Sequence, residues 1–325
     1  MRGLGCGYVT KIAVLFLIIV LALLGTGLVF GTLGASFFGT ETPSILKVPK
    51  PHVQLPSEEI FDVGGFSITN TLIASWFTIA VLGGMFYACT RKMRLIPGRL
   101  QGMAEMAVEG LLNLVESVAG KGYARLLFAG VATIFIYVIA NAYLALLPFF
   151  GTIGIAGHEG EFVPLFRAAN TDINLPLSIA VTSFVFVEYW GIRSQGAFRY
   201  ISEFVNVGQI GQGLKQLFTG KIRPAVSNIA FGFINLFVGL LEIFSHLIRI
   251  VSFTFRLFGN MTAGEILLLV SAFLIPLIFT IPFYGLELLI GLIQALIFAG
   301  LTLVFGTIAV APMHEEPEEL KGGNE

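Results

Sequence analysis

The chain has 325 residues and a formal net charge of −1; 56% of its residues are hydrophobic, only 12% are charged, and the mean hydropathy is +0.87. Soluble domains carry roughly twice that share of charge, so a soluble globular protein is excluded, and the near-neutral balance argues against a nucleic-acid partner. Two cysteines (Cys6, Cys89) and four scattered histidines (His52, His158, His246, His314) make no metal, redox or disulfide pattern, so no cofactor is expected.

Several uncharged runs reach the ~20 residues needed to cross hydrocarbon. They do not alternate polar and apolar residues as the strands of a membrane barrel would. An all-α integral membrane protein follows, because helices satisfy their own backbone groups in lipid.

The first run, 12–38, comes after Arg2 and Lys11. It is too long for the apolar part of a signal peptide and shows no small-residue cleavage site, so residues 1–38 read as a membrane helix in preference to a leader. Residues 39–325 read as one membrane domain without internal repeats. A loop rich in Pro, Glu and Lys ("TETPSILKVPKPHVQLPSEE") leads to a second span, 66–90, which stops at "RKMRLIPGR". The segment 100–119 is amphipathic, with Glu105, Glu109 and Glu116 at helical spacing, and belongs at the interface or on the protein's own surface. A third span, 126–150, ends in "PFFG", and a fourth reads "INLPLSIAVTSFVFVEYWGI". A basic connector holding Arg193, Arg199, Lys215, Lys221 and Arg223 includes a helical stretch near 203–218. Two long apolar stretches and an acidic tail complete the chain.

Lys and Arg concentrate in the connectors 91–125 and 193–223, which assigns both to the cytoplasmic side, with loops 39–65 and 151–172 outside. Six spans with both termini inside fit this pattern, and five if residues 1–38 are a leader. The basic inner loops suit the plasma (inner) membrane of a bacterium.

The last two apolar stretches are too long for ordinary spans. From 226 to 270 there is no proline, so a helix there could run unbroken for ~65 Å against a hydrocarbon thickness of ~30 Å. Either the segment breaks into two spans or it is one steeply tilted helix. The stretch 276–311 has the same excess, and 226–311 reads as a long slanted hairpin.

Polar residues line these stretches in stripes. On a regular helix Glu242, Arg249, Ser252 and Asn260 each fall within about 40° of Arg256, whereas Glu265 projects to the opposite side unless Gly259 and Gly264 bend the helix. Glu287, Gly291 and Gln294 form a second stripe, and a hairpin brings Glu265 and Glu287 together toward its outward end. Structural readings compete for most of these residues. Arg249 can snorkel to the interface with Glu242 as its partner. Ser252, Asn260 and Gln294 can join helices at under ~1 kcal/mol each. Glu188 and Arg193 close the fourth span as interfacial groups. Arg256 resists such a reading: no acid lies three or four residues away, and Phe255, Leu257 and Phe258 offer nothing polar. A charge at the bilayer centre costs roughly 2.5–3.5 kcal/mol on insertion scales, which makes it a functional group by default, with a partner on another chain.

An ion-coupled secondary transporter would use the same acids, but no inverted repeat or paired broken helices are present. An intramembrane enzyme lacks an HExxH or GxSxG motif.

The stretch "RLFGNMTAGE" closely resembles the signature of subunit a of F-type rotary ATP synthases, the stator half of the proton path. The resemblance extends from "NTDINLPLSIA" through "LLEIFSHLIRIVSFTFRLFGNMTAGE" to "LELLIGLIQALIFAGLTLVF". It implies a fold in which two long oblique helices wrap a ring of c subunits. Arg256 then matches the essential arginine facing the ring carboxylates, and Glu265 the acid of the outer half-channel. Asn260 and Gln294 match polar positions bordering that path. Glu287 falls where some members carry histidine and others glutamate. Glu242 and Ser252 match inner half-channel positions, and Asp172 with Asn170 the outer entrance. The implied partners are the c-ring, the b subunits of the peripheral stalk, membrane lipid and, indirectly, the F1 sector; the chain itself would catalyse no bond chemistry. The run 12–38 departs from the common five-span bacterial pattern.

Overall fold

The computed structural model describes residues 4–39, 43–44, 56–156, 162–198, 200, 211, 215–216 and 222–310. In chain order these form α1 (Leu4–Phe30), α2 (Thr32–Phe38), a hairpin of β1 (Glu59–Val63) and β2 (Phe66–Thr69), α3 (Asn70–Thr90) and α4 (Arg99–Ala145). A second hairpin of β3 (Gly154–Ala156) and β4 (Phe162–Pro164) follows, then α5 (Asn174–Gln195), α6 (Ile222–Leu274) and α7 (Ile281–Val310), with 3-10 turns at Ala169–Thr171 and Leu277–Thr280. Among the described residues six helices are long and apolar enough to cross a membrane. The protein is an all-α integral membrane protein with two small hairpins added.

The boundaries differ from the sequence reading in instructive places. The run 12–38 is not one helix: Gly31, with extended ψ of 174°, separates α1 from α2, and Gly39 closes α2 in the left-handed region at φ 64°. The second span starts at Asn70 rather than 66, because Phe66–Thr69 pairs with Glu59–Val63 as an antiparallel hairpin. Its two-residue turn is Gly64–Gly65, both at positive φ, which is the backbone such a turn requires. The third span ends at Ala145 instead of 150, and Phe149 and Phe150 fall in the turns beyond. The amphipathic segment 100–119 is helical and is set off from the apolar part of α4 by Gly120, at φ 73° and ψ 158°. The fourth span is α5, as expected. The helical stretch near 203–218 and the loop 40–59 fall mostly outside the described residues, and the acidic tail falls wholly outside them.

Of the two readings of 226–270, the unbroken helix is the one observed. α6 has 53 residues with no positive φ inside it, so neither Gly259 nor Gly264 interrupts it. Its length of about 80 Å far exceeds the ~30 Å of hydrocarbon. α7 adds 30 residues after the 3-10 turn.

The chain divides into two compact units. The first takes in the described parts of Met1–Thr78, Ile139–Asp172 and Leu257–Gln294. Phe77, Phe149, Phe150 and Phe166 cluster there with ring centroids 5.1–6.4 Å apart. Buried Thr78 donates to Asn141 Oδ1 at 3.1 Å. In the same unit, Gly27 and Gly31 let the end of α1 lie against the backbone at Pro276, and Thr32 donates its hydroxyl to the Phe273 carbonyl.

The second unit takes in the described parts of Ile79–Val138, Ile173–Arg256 and Ala295–Glu325. Its core is Val115, Ala119, Ala124, Leu127 and Val131 of α4 against Ala299, Leu303 and Val310 of α7, with Phe186 and Trp190 of α5 packed on it. Close approach depends on Gly130, which faces the Phe186 ring, and on Gly306, which faces Leu127. Ser183 and Thr302 share a buried hydrogen bond of 2.7 Å. The portion of α6 in this unit leaves Phe231, Phe237, Phe244, Ile248 and Phe255 more than half exposed, as suits a face turned to lipid or to another chain.

Candidate functional site

The charged groups in and beside the apolar helices gather at two places, one in each unit. In the first, α6 and α7 and the segment after β4 enclose a cavity of about 160 Å³, lined by Arg167, Met261, Glu265, Tyr284 and Glu287 among others. Glu265 and Glu287 thus share one cavity, as a hairpin of these stretches requires. Arg167 grips Glu265 with a fork: Nε lies 3.2 and 3.3 Å from the two carboxylate oxygens, and Nη2 lies 3.2 Å from Oε2. Its Nη1 donates to the Pro56 carbonyl at 3.1 Å. Glu287 has neither a cation nor a hydrogen-bond partner among the described residues, although it is only 4% exposed. Its carboxylate rests against Gly264, where any Cβ would overlap it. Farther along both helices Asn260 donates to Gln294 Oε1 at 2.9 Å, and Gln294 is buried.

Asn170 and Asp172 do not line this cavity. Asn170 is 1% exposed, and neither polar atom of its side chain has a partner among the described residues. Asp172 accepts the Thr71 hydroxyl at 3.0 Å.

In the second unit Arg256 is partly exposed on α6. It lies 3.5 Å from Ser252 Oγ and 5.9 Å from the centroid of the Phe253 ring, and no carboxylate among the described residues pairs with it. Arg249 neither extends freely to the interface nor forms an ion pair with Glu242: its guanidinium stacks on Phe305, with Cζ 3.3 Å from the ring centroid. Of the two acids that attract it, Glu188 acts more strongly than Glu242. Glu188 is more than the interfacial group expected from its position. His246 Nδ1 lies 2.8 Å from its Oε1, the Tyr200 hydroxyl donates to its Oε2 at 2.6 Å, and both Glu188 and His246 side chains are largely buried. Glu242 itself is half-buried.

Sequence reasoning therefore missed Arg167 and undervalued Glu188 and His246. Arg167 did carry a signal, being a lone arginine in the 151–172 loop just before "AANTD". Its partner lies 98 positions away, beyond the reach of any helical spacing.

An all-α, multi-pass membrane protein with ionisable groups held inside its spans is the class that these features define. The model of the ATP synthase A chain family matches residues 72–307. ATP synthase subunit a of Campylobacter jejuni is 34% identical over 240 residues, which covers 73% of this chain and 87% of that protein. The corresponding protein of Moorella thermoacetica is 29% identical over 248 residues, covering 76% and 93%, and that of Campylobacter fetus is 29% identical over 227 residues, covering 69% and 84%. The chain belongs to the ATP synthase subunit a family.

Proposed function

We propose that the chain is the stator subunit of the Fo proton path in an ATP synthase complex of the plasma membrane. In this reading it has its C-terminus on the cytoplasmic side and assembles with a c-ring, the b subunits of the peripheral stalk and, indirectly, the F1 sector. The observation that carries the reading is the contrast between Arg256, which has no carboxylate partner among the described residues, and the two glutamates gathered in one cavity. An unpaired guanidinium in an apolar helix calls for a carboxylate on a partner. A c-ring acid supplies one.

The physical logic follows from charge in a medium of low dielectric. A ring carboxylate cannot face lipid ionised without a large desolvation penalty, so it crosses the lipid-facing arc protonated. Beside Arg256 its ionised form is favoured, since an opposite charge lowers a carboxyl pKa. The proton leaves by an inner half-channel that includes Glu242 and Ser252. A new proton arrives by an outer half-channel through Asp172 and Asn170 at the mouth, then Glu265 and Glu287, with Asn260 and Gln294 bordering the route. The fixed charge of Arg256 keeps the two routes from short-circuiting. Each elementary charge that crosses gains ~2.3 kcal/mol per 100 mV, which biases ring rotation. The long helices 226–311 lie obliquely against the ring, and the chain makes and breaks no covalent bond in substrate.

The test is ion-driven ATP synthesis and passive proton leak in vesicles, wild type against Arg256→Ala in the assembled complex. Loss of coupled synthesis with normal assembly is the expected result. Synthesis near the wild-type rate would make the arginine structural and end the stator reading.

A further inference from the structure

The fork between Arg167 and Glu265 has no role in the mechanism above, yet it closes on the group that the mechanism needs open. The cavity is lined by Glu265 of α6 and Glu287 of α7, with Tyr284 and Pro164 also on its wall. Two carboxylates facing one cavity with room for water are oxygen donors of the kind that hard cations such as Mn²⁺ and Ca²⁺ take, although the rest of the lining is mainly apolar. A cation lodged there would block a proton route. The guanidinium prevents this in two ways. It occupies both oxygens of Glu265 at 3.2–3.3 Å, so that no bidentate carboxylate is left to a metal. It also offsets the charge of Glu265, so that the pair offers an entering cation no net attraction in a cavity where charges act more strongly than in water. Arg167 is well placed to persist in this role, because its side chain is only 10% exposed and its remaining nitrogen is anchored on the Pro56 carbonyl. Glu287, buried and without a counter-ion among the described residues, is left as the free acid of the cavity.

We propose that Arg167 is a specificity-determining residue of the outer half-channel: it acts as an internal counter-ion that lets protons reach Glu265 and Glu287 while excluding metal cations. The inference rests on the half-channel reading, but its test is separable from that reading.

The experiment counts Mn²⁺ bound to the purified whole complex by electron paramagnetic resonance, and measures inhibition of proton-driven synthesis in sealed vesicles with Mn²⁺ confined to the outward compartment. Arg167→Gln is expected to bind a single Mn²⁺ beyond the wild-type count and to be half-inhibited at a concentration about tenfold lower. Arg167→Lys, which keeps the charge, is expected to restore the wild-type count. In the double variant Arg167→Gln/Glu265→Gln the added Mn²⁺ is expected to disappear, an outcome that mere loosening of the fold would not give. Arg167→Met, which keeps the aliphatic stem, replaces the glutamine variant if that one does not assemble. Equal Mn²⁺ binding in wild type and variant, persistence of the added ion without Glu265, or failure of both variants to assemble would overturn the proposal. If Arg256→Ala remains coupled in the same vesicles, it is the stator reading that fails. If Arg256→Ala uncouples and Arg167→Gln gains no metal, only the present inference fails.

Discussion

The amide of Asn260 on α6 donates to Gln294 Oε1 on α7 at 2.9 Å, joining side chains 34 positions apart. Gln294 is 2% exposed, and its own Nε2 has no acceptor among the described residues. Hydrogen bonds between helices in membrane proteins contribute on average about 0.6 kcal/mol, so the pair is a weak fastener. Gln294→Leu should therefore lower the stability of the complex by under ~1 kcal/mol, while coupled synthesis falls by more than that loss accounts for. Thermal melting and synthesis rate on one preparation check this. A rate that merely follows the melting would reduce both amides to helix joints.

Gly264 gives a cleaner handle on Glu287 than Glu287 itself does. A Cβ at 264 would first meet the Glu287 carboxylate, the far end of a flexible side chain. The fold should therefore tolerate Gly264→Ala, with the carboxylate displaced. Misplacement of a reacting group by about 1 Å can cost up to ~10²-fold in rate, and a drop of at least about tenfold in synthesis is expected in complexes that assemble normally. Wild-type rates in Gly264→Ala would show that the position of this acid is immaterial.

The Glu188–His246 pair should be measurable as a coupling. Both side chains are under one-fifth exposed, so the interaction is only partly screened. A double-mutant cycle of Glu188→Gln and His246→Ala is expected to return a coupling of about 1 kcal/mol in stability. A coupling near zero would mean that Tyr200, the second group on this carboxylate, carries the interaction alone.

Gly130 lets α4 come close to α5 within their unit. A side chain there meets the Phe186 ring, and overpacking of this sort typically costs about 1–3 kcal/mol. Gly130→Val should lower the melting temperature, and Phe186→Ala should relieve part of that loss. Strictly additive losses in the double variant would contradict the assigned contact.

Much of this architecture was legible because the lipid environment permits few alternatives. A run of about 20 apolar residues must be a helix, which is why α3, α5 and α7 lie close to where the sequence put them. The breaks were harder to read. Gly31, Gly120 and the Gly64–Gly65 turn work through positive or extended backbone angles, and in an apolar stretch a glycine may equally sit inside a helix. The residues Phe66–Thr69 read as the start of a span because their apolar character serves a strand equally well. In the candidate site, the stripes on α6 and α7 followed from helical spacing, and the proximity of Glu265 and Glu287 from reading the two stretches as a hairpin. Contacts between elements distant in the chain did not. The grip of Arg167 on Glu265, the seat of Arg249 on Phe305 and the Glu188–His246 pair all depend on tertiary packing, and spacing within a helix carries no information about that.

The seating of α1 at Pro276 sets how its sequence can drift. Most of this helix presents large apolar side chains outward, Phe16 at 68% exposure and Leu21 at 59% among them, and one aliphatic residue there serves as well as another. Gly27 and Gly31 are different, because any Cβ would drive into backbone atoms that cannot move aside. A saturation scan of α1 and the Gly31 that follows it would return a nearly flat tolerance profile with two sharp minima, four residues apart. Those two positions would read as a small-residue docking code in an otherwise interchangeable stretch.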